Sequence, residues 1–141
     1  MNKKHKLLLS ALIFTLLASA CGILPGSNNE LDGTKWELLY IRKSTPLGGS
    51  MITIEFEDGE VHGRSGCNSY FGEYTVKGNE ISFGMLAATE MACMEPEGIM
   101  QQEQEYLTFL SEVVTWSVEG EQLILKQEVQ DQLTFQKAKG E

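Results

Sequence analysis

Residues 52–67 read ITIEFEDGEVHGRSGC, and this stretch decides the fold. Ile52, Ile54 and Phe56 alternate with Thr53, Glu55 and Glu57, giving one apolar and one polar face. A period of two is the mark of a half-buried strand. Asp58-Gly59 follows, a strong two-residue hairpin signal. Val61, Gly63, Ser65 and Cys67 then share one face of the next strand, with His62, Arg64 and Gly66 on the other. Two amphipathic strands joined by a tight turn predict an antiparallel pair.

The same alternation extends outward on both sides. Upstream, Trp36, Leu38 and Tyr40 alternate with Lys35, Glu37 and Leu39. Downstream, Tyr74 and Val76 precede the turn Lys77-Gly78-Asn79, and Ile81 and Phe83 follow it. Val114, Trp116 and Val118 alternate, Glu119-Gly120 turns, Leu123 and Leu125 continue, and Leu133 and Phe135 close the pattern. One helix interrupts these strands. Pro96 suits a first helical position, and Glu95 and Glu97 suit the positive end of the helix dipole. Ile99, Glu103, Tyr106, Leu107 and Leu110 then fall on one face at helical spacing. The expected fold is α+β and mostly β: an antiparallel curved sheet or partial barrel of about seven or eight strands, with one helix packed on it.

With 141 residues the chain accommodates one domain. Its 20 acidic and 11 basic side chains give a net charge of −9. Lys3, Lys4 and Lys6 account for three of the basic groups, so the chain beyond them carries about −12. Such a charge excludes a nucleic-acid binder and disfavours a polybasic contact with anionic lipid.

The first 20 residues have the layout of a secretory signal peptide. Lys3, Lys4, His5 and Lys6 form a positive start, Leu7 to Leu17 an apolar run, and Ala18-Ser19-Ala20 a small-residue site before Cys21. The apolar run is too short for a membrane span. Leu17-Ala18-Ser19-Ala20-Cys21 resembles a bacterial lipobox, with Ala18 at the place usually held by leucine. That resemblance implies a lipidated Cys21 anchoring the domain to a cell membrane or outer membrane, facing the periplasm or the exterior. Gly22 in place of aspartate favours the outer membrane in a host with two membranes. Residues 21–30, containing GILPGSNNE, read as a flexible tether. The folded domain is expected over 31–137, with a tail at 138–141.

Residues 63–74, GRSGCNSYFGEY, together with Thr89-Glu90-Met91-Ala92-Cys93, the Glu95-Pro96 start of the helix and the opening Leu31-Asp32-Gly33-Thr34-Lys35-Trp36, resemble the META/HslJ domain family over nearly all of 31–136. The resemblance implies a small sheet or partial barrel with one helix. It also implies a bacterial envelope lipoprotein, some relatives being linked to heat shock or antibiotic tolerance. It brings no enzymatic activity.

Acylation of Cys21 leaves Cys67 and Cys93, which export would place where disulfides persist. A bridge between them closes a loop of about 26 residues, worth roughly 3–4 kcal/mol in the chain-entropy account. The alternatives are two reduced core thiols, or a redox or metal role. The lack of a Cys-x-x-Cys pair and the single nearby histidine weigh against the latter.

Chemistry-bearing residues are few. His62 lies on the strand face opposite Cys67, which argues against a shared metal site. Ser65 and Ser69 lack a nucleophile elbow. The spread-out carboxylates lack calcium-loop spacing and read as solvated surface. Glu103 sits on the apolar face of the helix, where a carboxylate must be paired or accept hydrogen bonds. A polar pin is expected there, with Arg64, Asn68 or backbone amides of the GCNSY segment as partners. Asn68, Ser69 and Tyr70 form a glycine-flanked bend that is either a structural turn or a recognition loop. Met85, Met91, Met94 and Met100 fill a core, line an apolar groove or bind Cu(I), core filling being the first expectation.

The sequence thus leads to a lipid-anchored domain without catalysis, cofactor or metal, binding an envelope protein or a small ligand. The alternatives are an inhibitor of an envelope protease and an enzyme of unknown type.

Overall fold

The computed structural model describes residues 30–139. The leader, Cys21 and the tether up to residue 29 lie outside them, as do residues 140 and 141. Nine strands and one helix follow in order: β1 (Thr34–Ile41), β2 (Thr53–Glu57), β3 (Glu60–Arg64), β4 (Ser69–Lys77), β5 (Glu80–Phe83), β6 (Ala87–Ala88), α1 (Ile99–Ser111), β7 (Thr115–Glu119), β8 (Gln122–Lys126) and β9 (Gln132–Lys137). Among the described residues, no helix is long and apolar enough to cross a membrane.

Every strand pairing is antiparallel, in the order β3-β2-β1-β9-β8-β7-β5-β4-β6. β3 also pairs with β4, from Glu60↔Glu73 to Arg64↔Ser69, so the sheet curls into a ring. β4 makes this possible by its length. Its first half lies between β3 and β6, and its second half bonds β5. The seam is β5–β7, where Glu80↔Thr115 is the sole register pair.

The strand count is nine, against an expected seven or eight. The additional short strand is β6, whose two alanines have no alternation to announce them and pair with Tyr70 and Phe71. A second difference lies in β1. Trp36 and Leu38 point inward as expected, but Tyr40 is 41% exposed and Ile41 is buried. A bulge between Leu38 and Tyr40 in the β1–β9 register adds a residue and turns the rest of the strand over.

The core fills the ring. Ile54, Phe56, Val61, Tyr74, Leu123, Leu125, Leu133 and Phe135 meet there with Tyr106, Phe109 and Leu110 of α1. Each fully buried large side chain contributes about 1.5–3 kcal/mol. The helix begins three residues later than its proline suggests. Pro96 sits in the preceding turn, where its carbonyl accepts from the Ile99 N–H, and Gly98 at φ 86° forms the N-cap. Glu95 and Glu97 therefore lie outside the helix. The inward face carries Ile99, Glu103, Tyr106, Phe109 and Leu110, with Leu107 only half-buried. At the other end, Ala138 donates its N–H to the Lys35 carbonyl, so the expected tail begins as an extension of the sheet.

Candidate functional site

Two features stand out: a buried polar junction between α1 and the β3–β4 connection, and a cleft on the outer face of β1–β4.

The junction is built on a turn. Ser65 N–H donates to the Asn68 carbonyl at 2.8 Å, and Gly66 at φ 119° takes a conformation that side chains resist. The turn aims its donors at α1. Ser65 Oγ donates to Glu103 Oε2 at 2.6 Å, and the Asn68 backbone N–H donates to the same oxygen at 2.7 Å. Asn68 Nδ2 donates to Glu103 Oε1 at 2.6 Å. Glu103 is only 6% exposed. Burial pushes its carboxyl up, but the hydrogen bonds from Ser65 and from Asn68, with those of the Asn68 and Cys67 backbone, outweigh burial and hold it below the ordinary value.

Asn68 faces two ways. Its Oδ1 accepts from the Met91 N–H and from Thr89 Oγ1, each at 2.7 Å. Next to it, Cys67 and Cys93 form a disulfide with Cα atoms 5.9 Å apart. The Thr89–Cys93 segment is therefore tied to the turn by covalent and polar bonds together, and the turn to the helix through Glu103. Tyr70 and Tyr106 complete the connection: Tyr70 Oη donates to the Thr53 carbonyl at 3.0 Å, and the two hydroxyls are 2.7 Å apart. Burial raises both phenols above the usual tyrosine range.

This arrangement corrects three expectations. Arg64 is not a partner of Glu103. It alternates with the buried Ser65 and points outward, and Ser65 supplies the hydrogen bond instead. Asn68 and Tyr70 do not form a recognition loop, being 2% and 1% exposed; only Ser69 of the three is on the surface. The methionines do not fill the core. Met85 and Met94 are 93% and 85% exposed, and Met91 and Met100 are also on the surface. They fall in loops and on the outer side of α1, where spacing along the chain carries no burial signal.

The second feature escaped the sequence reading. Across the outer face, register aligns Lys35, Glu55, His62, Phe71 and Ala87 on five neighbouring strands. Arg64 lies opposite Ser69 in the adjoining row. Phe71 is 62% exposed and Met51 53% exposed. With Lys35, Glu55, His62 and Arg64 they line a shallow cleft of about 440 Å³. Glu55 is shared by two bases, 2.7 Å from Lys35 Nζ and 3.4 Å from His62 Nε2. The signal for this face was present: once Tyr70 points inward, Phe71 must point out.

Comparison with known proteins agrees with this architecture. The META domain model matches residues 29–140. The chain is similar to a protein from Burkholderia xenovorans solved by NMR, at 32% identity and a TM-score of 0.66, over 79% of this chain and 86% of that one. A second NMR structure is 21% identical with a TM-score of 0.61, over 76% of this chain and 91% of that one. A crystal structure of a DUF4847 family protein from Bacteroides vulgatus is 12% identical with a TM-score of 0.57, over 79% and 96%; these last two show likeness of fold. A search of curated proteins gives no match. The family match spans the ring, the helix and the disulfide-bonded junction alike, and the chain belongs to the META domain family.

Proposed function

We propose that this chain is a cell-envelope lipoprotein whose META domain is a non-enzymatic binding module, held at the membrane by a lipid on Cys21 and working under envelope stress. The observation that carries the reading is the state of Glu103. Among the described residues, the one buried carboxylate, Glu103, has both oxygens engaged by Ser65 and Asn68. A carboxylate buried and held by three hydrogen bonds in this way ties elements together rather than facing a substrate. The leader pattern supports the location, and the ring of paired strands offers a rigid scaffold for an exposed cleft.

In-cell cross-linking of the tagged full-length protein, followed by mass spectrometry, tests the reading. A recurrent envelope partner is expected, and Cys21→Ser should move the protein from the membrane to the soluble fraction. Retention of the Cys21→Ser protein in the membrane would remove the anchor. A turnover that Glu103→Gln abolishes without unfolding the domain would replace the binding module with an enzyme.

A further inference from the structure

We infer that the outer-face cleft of β1–β4 binds a small organic anion, its acid group on Arg64 and its apolar body on Phe71 and Met51. The inference rests on the binding-module reading and names the site and ligand class for it.

Charge singles out this cleft. The chain is strongly acidic, yet Lys35, Arg64 and His62 converge here around one carboxylate, Glu55. Glu55 is already engaged by Lys35 and His62. Among the described residues, the exposed Arg64 side chain has neither an ion-pair nor a hydrogen-bond partner, so its guanidinium keeps its planar donors for a ligand. The larger cleft beside the β5–β7 seam, about 810 Å³, sets Glu80 and Glu128 against Lys77 alone and would repel an anion.

Register sets the shape of the ligand. Phe71 is two residues beyond Ser69, the partner of Arg64, so Arg64 and Phe71 are diagonal neighbours. Such neighbours stand roughly 7–8 Å apart, within the span of an aryl acid. Phe71 offers an open ring face to a planar group and Met51 a polarizable flank. The cleft volume matches a small molecule better than a folded partner.

Photolabelling of the full-length protein in its own membranes tests this, using 4-benzoylbenzoate and uncharged benzophenone. Methionine is a favoured site of benzophenone insertion, so Met51 reports on the cleft and the more exposed Met94 reports random contact. The acid should label Met51 saturably and above Met94. Arg64→Gln and Phe71→Ser should each reduce that labelling about tenfold, as expected for loss of a charged hydrogen bond or an aromatic platform. Benzophenone labelling of Met51 should be unchanged by Arg64→Gln. Labelling that follows exposure, with Met94 above Met51, would overturn the inference, as would indifference to Arg64→Gln. Saturable labelling elsewhere would overturn this cleft and leave the binding module standing. If no site saturates, the anion site falls, and the cross-linking experiment decides the binding module separately.

Discussion

Glu103 and Asn68 are joined twice, through the Asn68 backbone N–H to Oε2 and through Nδ2 to Oε1. One carboxylate thereby fixes both the main chain and the side chain of the residue that follows Cys67. Glu103→Gln keeps the shape but turns an acceptor into a donor facing these donors. A loss of about 2–3 kcal/mol is expected, read as a lower urea midpoint with an unchanged slope. An unchanged midpoint would mean that the pin contributes nothing.

The same residue sets an acid limit. Its folded pKa lies below the ordinary 4.5, so its stabilisation is fully present above that value. It is lost as pH falls through the lowered folded value, because the folded state must then take up a proton it disfavours. The stability gap between the native protein and Glu103→Gln should be constant from about pH 7 to 5 and narrow below about 4.5. A gap independent of pH in acid would contradict the assignment.

The disulfide closes a loop with a sequence separation of 26. Cys67→Ala with Cys93→Ala should cost about 3–4 kcal/mol in the chain-entropy account. The Thr89–Met91 contacts to Asn68 should loosen with it, visible as faster amide exchange at Met91 than at Leu125. Equal exchange at both positions would show that Asn68 holds the segment unaided.

The tyrosine pair predicts an asymmetry. Tyr70 donates to Thr53, so the proton between the two hydroxyls comes from Tyr106. Tyr106→Phe leaves Tyr70 its acceptor and should cost about 1 kcal/mol. Tyr70→Phe strands both the Tyr106 hydroxyl and the Thr53 carbonyl and should cost about 2–3 kcal/mol. Equal losses in thermal unfolding would refute this direction of donation.

Gly63→Ala should be severe for so small a change. A Cβ there would stand 2.0 Å from the Thr53 carbonyl oxygen and 3.2 Å from the Tyr70 ring. Backbone must move to admit it, at a cost of about 3 kcal/mol. Wild-type stability in a denaturant titration would show that β2 and β3 can separate freely at this point.

The strands other than β6 were legible because they turn one face to the core, and alternation records that. The helix was legible from Ile99, Tyr106 and Leu110, and Glu103 from its place among them. What misled was local. Pro96 fits a helix start or the turn before one, and only Gly98 distinguishes them. The bulge in β1 depends on the partner strand β9, which alternation within β1 does not encode. Asn68 reads as a surface bend because its segment is polar, yet its partners Met91 and Glu103 lie 23 and 35 residues away. The cleft was hidden for a like reason: Arg64 and Phe71 meet only across a strand pair, and Met51 joins them from outside the strands.

The position of β9 has a consequence for how the domain is made. It lies between β1 and β8 and brings Leu133 and Phe135, both fully buried, into the core. A chain emerging from its amino terminus must hold β1 with one edge unpaired until residues 132–137 arrive. Closure therefore waits for synthesis past the last described strand, and until then β1 and β8 expose edges open to the wrong neighbour. The last strand to be made is thus the one that removes both edges at once.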